Sequence, residues 1–184
     1  MKIQITGASG AGKTYLGKVL AEKTNSKYID TDDILWVWDT NVQPYTIPIS
    51  ENDACKKLKF ILNSSDRIVA SGLFYPWSES LINEFDLLIV LETEKEIRKK
   101  RIIEREKTLY GNRYEEGGDM HEQFNSYLDW AMKYDESGDL LGSKKETSKW
   151  ERKFKCPVIH INGAKSLKKK INIILKKINK YDIK

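Results

Sequence analysis

No apolar run in the 184-residue chain approaches the ~20 residues needed to cross a bilayer, so a membrane-spanning protein is not expected. The chain opens directly into a strand-like run with no secretory leader, and a cytoplasmic setting is expected. Cysteine is scarce: Cys55 and Cys156 are too few and too far apart for a disulfide framework, so two reduced thiols are expected. His121 and His160 are the only histidines, and neither has a metal-ligand spacing. Internal repeats and low-complexity linkers are absent. With 40% hydrophobic residues and a length near the ~150 usual for one domain, a single domain over 1–184 is expected.

The net charge of +5 is unevenly spread. Residues 165–184 hold eight lysines and one acid, a balance of +7, whereas the remaining 24 basic and 26 acidic residues give −2. Basicity is therefore a property of the tail. Leu167, Ile171, Ile174, Leu175 and Ile178 recur there at helical spacing. A terminal helix packed on the domain, with lysines on its wet face, is the ordinary reading. A nucleic-acid or membrane-surface patch is the lesser one.

The most informative stretch is Gly7-Ala8-Ser9-Gly10-Ala11-Gly12-Lys13-Thr14, which follows the strand-like run 2–6 and precedes a helix expected over about 13–23. Its pattern is G-x-x-x-x-G-K-T. Glycines let the backbone turn its N–H groups toward one concavity. Lys13 brings a positive charge to terminal phosphates, the Thr14 hydroxyl suits Mg²⁺, and the helix dipole points at the same place. This is a nucleoside triphosphate site; an ordinary glycine-rich turn is the competing reading.

Along the chain, the strand-like Ser26-Lys27-Tyr28-Ile29 runs into Asp30-Thr31-Asp32-Asp33, where ligands bind in open parallel sheets. Three carboxylates there repel one another unless a cation is shared, though Asp also caps helices. Trp36, Trp38 and Tyr45 follow, as either an apolar wall for an acceptor or core. Ser50 is expected to cap a helix over about 51–63. A strand ends in Ala70-Ser71-Gly72, whose small residues would admit a ligand. Pro76 suits a short helix to about Glu84, and 86–91 reads as a strand buried on both faces. Thr93-Glu94-Lys95-Glu96 reads as a capping box. Arg98, Arg101 and Arg105 then share one helix face, and Arg113 follows in a glycine-containing loop. Such guanidinium groups suit a cover that clamps phosphates; a solvated charged helix is the alternative. Asp119 to Glu122 is expected to cap a helix to about Tyr134, with Phe124, Tyr127, Leu128 and Ala131 inward. Another is expected from Ser143 to about Phe154. The stretch 107–154 therefore reads as a helical lid or insert. Residues 157–161 form the last strand, and Asn162-Gly163-Ala164 turns it into the basic helix. Five strands alternating with helices predict a three-layer α/β/α domain with a parallel sheet.

Taken together, these residues resemble the nucleoside monophosphate kinase and shikimate kinase group of P-loop phosphotransferases. The resemblance rests on Gly7 to Thr14, on Tyr28-Ile29-Asp30-Thr31-Asp32, and on Val69-Ala70-Ser71-Gly72. Arg101-x-x-x-Arg105 and Ile161-Asn162-Gly163 complete it. Asp32-Asp33-Ile34-Leu35-Trp36 is also similar to small bacterial kinase-like proteins described as topology modulators. The resemblance covers about 1–105 and 155–180.

It implies transfer of a phosphoryl group from ATP to a small-molecule acceptor, by a monomer or homodimer. Lys13 would stabilise the transferring group, and Thr14 with Asp30 would hold Mg²⁺. Asp32 would orient or deprotonate the acceptor. Arg101 would stack on adenine, Arg105 and Arg113 would neutralise phosphates, and the backbone of Asn162, Gly163 and Ala164 would contact the adenine edge. Asp33, Trp36, Gly72 and Phe74 are the further acceptor-side residues. Two departures bear on the acceptor. Leu73 and Phe74 replace the glycine run that shikimate kinases carry after the third strand. Residues 34–64 contain no arginine, although adenylate kinases have a monophosphate-binding arginine there. Motor and switch ATPases are a weaker match, because the third strand does not end in an acid; Glu92 after the fourth keeps that relation open. The other functional reading is a regulatory NTP-binding module whose basic tail touches nucleic acid.

Overall fold

Five short segments rich in Ile, Val and Leu extend and pair: β1 (Lys2–Gly7), β2 (Lys27–Asp30), β3 (Ile68–Ser71), β4 (Leu87–Glu92) and β5 (Val158–Asn162). The computed structural model describes residues 1–39, 44–74, 76–136, 142–181 and 183. The strands are all parallel, in the order β2-β3-β1-β4-β5. Central β1 sets Ile3 against Val69 on one side and Leu87 on the other.

A parallel sheet hides both faces, and strand alternation assigns residues to two cores. Ile3, Ile5, Ile89 and Leu91 pack with Leu16 and Leu20 of α1 (Lys13–Lys23) and with Ile171, Ile174 and Ile178 of α7 (Leu167–Lys180). Ala70, Leu88 and Val90 face the other way, toward α3 (Glu51–Asn63), Phe74, Trp150 and Phe154. This is the expected three-layer α/β/α arrangement.

Several local expectations change. Ser50 caps α3 as anticipated, its hydroxyl accepting from the Asp53 N–H at 3.2 Å. The short helix expected from Pro76 to about Glu84 is a 3-10 helix that starts later, Glu79–Glu84. Thr93 does not close a capping box: α4 (Lys95–Tyr110) starts after Glu94, and the Thr93 hydroxyl donates instead to the Ala11 carbonyl at 3.3 Å. Asp119 caps no helix, because Arg113 takes its carboxylate; α5 (His121–Met132) begins after Met120, and of its expected inward residues only Ala131 is fully buried. Ser143 does cap α6 (Lys144–Glu151), which stops short of Phe154. The insert thus consists of the end of α4, a 3-10 turn at Gly111–Tyr114, α5, a second 3-10 turn and α6; its residues 137–141 lie outside the described residues.

Helix α7 packs as the ordinary reading expects, with Lys168, Lys169, Lys176 and Lys180 exposed. Lys170 is the exception, only 5% exposed, with its ammonium donating to the Gly163 carbonyl at 3.1 Å. No helix among the described residues is long and apolar enough to cross a membrane.

Because Ile174 is fully buried between α1 and the sheet, Ile174→Ala is expected to lower stability by ~2–4 kcal/mol. Lys176→Ala, on the wet face, should change it by less than ~0.5 kcal/mol. Urea denaturation of the two variants checks both.

Candidate active site

The loop after β1 is pressed against its neighbours. Gly7 and Gly10 have φ of 136° and 78°, in the region side chains avoid. A Cβ would stand 2.4 Å from the Leu91 carbonyl oxygen at Gly7 and 2.6 Å from that of Arg98 at Gly10. The loop then enters α1, whose N-terminal amides face the same concavity. Lys13 folds back over the loop, donating to the Gly7 and Ala8 carbonyls at 2.8 and 3.0 Å. Burial lowers its pKa to about 8, against the opposing pull of Asp32 and Asp30.

Strand β2 ends at Asp30, which pairs with Ser71 of β3 and lies beside α1. One oxygen of its carboxylate accepts from the Thr14 hydroxyl at 3.1 Å and the Tyr28 hydroxyl at 3.0 Å. The other oxygen accepts from the Asp32 backbone N–H at 3.2 Å. Tyr28 also touches the Ser71 hydroxyl at 2.7 Å. A hydroxyl and a carboxylate oxygen in contact are hard oxygen donors of the kind Mg²⁺ takes alongside phosphate and water, so Thr14 and Asp30 fit the ion. Among the described residues no group of three or more His, Cys, Asp or Glu is gathered as for an all-protein metal cage.

After Asp30 the chain turns into the short helix α2 (Asp32–Leu35) at Thr31, whose hydroxyl donates to the Ser71 carbonyl at 3.2 Å. The Thr31 hydroxyl fills the place a Gly72 Cβ would need, 1.7 Å away, so Gly72 is required by this packing. Asp32 is partly buried. Burial, then the Asp30 charge, raises its carboxyl pKa to about 6, although Lys13 and Arg105 pull it down. Asp33 is exposed, and its carbonyl accepts from Lys57 at 2.9 Å.

The four arginines divide into different tasks. Arg101 donates to the Ala11 carbonyl and to the Gly163 carbonyl, both at 3.2 Å, joining the phosphate loop to the turn after β5. Within that turn the Asn162 side chain accepts from the Ala164 N–H at 2.8 Å. Arg105 reaches Glu106 at 2.6 Å and the Tyr127 hydroxyl at 3.0 Å, and its charge acts on Lys13 and Asp32. Arg113 is exposed and forks onto Asp119 at 2.9 and 2.6 Å, within the insert. Arg98 does not join a phosphate-facing row. It is fully buried and holds the insert to α4, donating to the Thr93 and Ala131 carbonyls and to Asp135.

In the segment after α2, Trp36 is partly buried and Trp38 exposed, and both meet Tyr45 edge-on. Residues 40–43 of this loop lie outside the described residues. Phe74, expected among the acceptor-side residues, belongs instead to the core: it is 1% exposed, stacked on Trp77 and set edge-on to Phe85. Glu92, the acid that follows the fourth strand, faces His160 at 3.0 Å, and His160 also meets Glu151 at 2.8 Å. Sequence reasoning missed the direct contacts of Tyr28, Ser71 and Thr93, though all three stand in quoted motifs. A separate cleft of about 700 Å³ opens by Phe85, Asp86 and Pro157, at the opposite end of the strands from the phosphate loop.

Residues 3–123 match the family model described as the AAA domain. The chain belongs to the AAA domain family. Within reach of that family, it is 31% identical to the uncharacterized protein YqaC of Bacillus subtilis (strain 168) over 173 residues, 94% of each chain. It is 30% identical to cytidylate kinase of Methanocorpusculum labreanum over 115 residues, 58% of this chain and 63% of the relative. Shikimate kinase from Acinetobacter baumannii, solved with shikimate, superposes with a TM-score of 0.53 at 18% identity, over 100% of this chain and 95% of that one. The family member's fold is thus the P-loop kinase fold its motifs resemble.

Arg98 and Arg101 stand one helical turn apart but should behave differently. Arg98→Ala leaves Asp135 and two carbonyls without their donor and is expected to cost ~2–4 kcal/mol. Arg101→Ala leaves the Ala11 carbonyl to Thr93 and the Gly163 carbonyl to Lys170 and is expected to cost less, ~0.5–1.5 kcal/mol. Denaturation and calorimetry on both variants check the division.

Proposed function

We propose that the protein is a phosphotransferase moving the γ-phosphoryl group of Mg·ATP to a small acceptor. The observation that carries this reading is the clustering of Lys13, the Thr14–Asp30 pair and the Asp32 carboxyl at the end of β1 and β2. A phosphate loop alone binds a triphosphate. A partly buried carboxyl with a raised pKa beside it gives a second substrate something to meet.

The roles follow from position. Backbone amides of Gly7 to Thr14 cradle the phosphates, and Lys13 exchanges its loop carbonyls for phosphate oxygens. Mg²⁺, held by Thr14 and Asp30, supplies positive charge to the phosphates when bound. The acceptor oxygen forms its bond to the γ-phosphorus as the bond to the bridging oxygen of ADP breaks. The proton of an acceptor hydroxyl passes to Asp32; a phosphate acceptor needs only to be positioned there. Lys13 and Arg105 neutralise the charge that develops, and Arg113 joins them on exchanging Asp119 for phosphate. Arg101 and the backbone of Asn162, Gly163 and Ala164 receive the adenine. Asp33, Trp36 and Gly72 border the acceptor.

ADP release with Mg·ATP, measured across nucleosides, nucleotides, sugars, sugar acids and amino alcohols against a no-acceptor control, tests the reading. Release that ignores every acceptor would replace it with an NTPase or regulatory module. Lys13→Ala is expected to abolish transfer.

For a hydroxyl acceptor, kcat/KM should fall about tenfold per pH unit below ~6, as Asp32 takes up a proton. Asp32→Asn should lose that limb and at least ~10²-fold in rate. The stability effect has the opposite sign. A carboxyl whose folded pKa is raised stabilises the fold below its ordinary value of 3.8, and that contribution is lost as pH rises through about 6. Asp32→Asn should therefore be at least as stable as the parent at pH 7, read by thermal melting. Near-normal transfer by this variant would remove Asp32 from its assigned role.

A further inference from the structure

Lys170 is a lysine where the fold asks for none. It lies near the start of α7, almost wholly buried, and its ammonium donates to the Gly163 carbonyl at 3.1 Å. The other donor to that oxygen is a second cation, Arg101, at 3.2 Å. Among the described residues no carboxylate pairs with either of them. Lysine is almost never buried without such a partner, and an unpaired ammonium costs the fold more than an apolar chain of the same length. Burial lowers the Lys170 pKa, and the Arg101 charge lowers it further. Packing does not explain the residue. Ile171, Ile174 and Ile178 supply the apolar contacts of α7, and the Gly163 carbonyl has Arg101 without it.

What Lys170 fixes is one peptide unit. Between Gly163 and Ala164 the N–H end donates to the Asn162 side chain at 2.8 Å, and the oxygen end accepts from Lys170. Side chains thus hold this peptide at both ends. The turn that carries it is also set against the phosphate loop. A Cβ on Gly163 would stand 2.0 Å from the Thr93 hydroxyl and 3.0 Å from the Ala11 carbonyl oxygen. Arg101 spans the Ala11 and Gly163 carbonyls. An oxygen fixed in direction and fixed relative to the phosphate loop is suited to reading the base of a nucleoside triphosphate.

A carbonyl oxygen has two lone pairs, and the two cations take both. Only one of them is free to leave. Arg101 is partly exposed and keeps the Ala11 carbonyl when it lets go. Lys170 is buried and has no other acceptor among the described residues. We propose that Lys170 is a positioning residue for nucleobase choice. It keeps the Gly163 carbonyl fixed while Arg101 gives way to the base, so that the oxygen accepts from an exocyclic amine, as adenine carries, and rejects the oxo group that guanine carries in its place. This rests on the adenine assignment made above. No bond is made or broken at Lys170; its part is confined to binding.

The test titrates the full chain by calorimetry with ATP, GTP and inorganic tripolyphosphate in the presence of Mg²⁺, and measures urea midpoints without ligand. ATP should bind about tenfold or more tighter than GTP. Lys170→Met, similar in length and uncharged, should shrink that ratio to about threefold or less by weakening ATP, with tripolyphosphate binding within about twofold of the parent. Its urea midpoint should be no lower than the parent's, since a buried unpaired charge has gone. Lys170→Arg, which keeps a charged donor, should recover most of the ratio. Asn162→Ala, which frees the other end of the same peptide, should lower the ratio as well. A parent that binds GTP as tightly as ATP would overturn the inference and leave the triphosphate site standing. An unchanged ratio in Lys170→Met or Asn162→Ala would overturn it too. So would loss of folding in Lys170→Met, which would make the lysine a structural group. No binding of any of the three ligands would overturn this inference and the phosphotransferase reading together.

Discussion

Backbone meeting backbone at the phosphate loop is the constraint on which the rest of the site depends. At Gly7 and Gly10 the chain lies so close to the carbonyls of Leu91 and Arg98 that no side chain fits. This contact sets the loop against the end of β4 and the first turns of α4 at once. The Thr93 hydroxyl reinforces it by donating to Ala11, and Arg101 does so from farther along α4. The concavity is therefore not a free loop that closes on a ligand. Its walls are parts of the sheet and of the helix beside it, and this is the preorganisation that electrostatic catalysis requires.

The charges at the site work against one another in a useful way. Burial disfavours the charged form of both Lys13 and Asp32. Each partly relieves the other, and Arg105 acts on both with opposite sign. Neither group is at rest, whereas Asp30 receives three hydrogen bonds, from Thr14, Tyr28 and the Asp32 amide. The two carboxyls stand two residues apart, yet one is fully satisfied and the other is not. On the proposed reading, that difference separates a metal-side acid from a substrate-side one.

Much of this was legible in the sequence because it was local. The phosphate loop, the acids after β2, the small residues after β3 and the cap of α3 each need only a few adjacent residues, and β3 and β4 follow from apolar runs. What was not legible depends on distant partners. Arg98, Arg101 and Arg105 look alike at helical spacing; only the carbonyl of Ala131 and the carboxylate of Asp135 make Arg98 a structural group. Phe74 follows a strand end like any ligand contact, and only Trp77 and Phe85 show that it is core. Thr93 has a capping-box spacing, but the Ala11 carbonyl competes for its hydroxyl.

The Gly163 carbonyl accepts from Arg101 of α4 and from buried Lys170 of α7. Two helices far apart in sequence thus share one backbone oxygen, in the turn assigned to adenine. The phosphate loop and the Lys170 end of this junction lie more than 150 residues apart in the chain, so the loop can form before the junction can. On the proposed reading, nucleotide binding and the docking of α7 are thermodynamically linked through this oxygen, so a bound nucleotide would favour the chain with α7 packed over one without it.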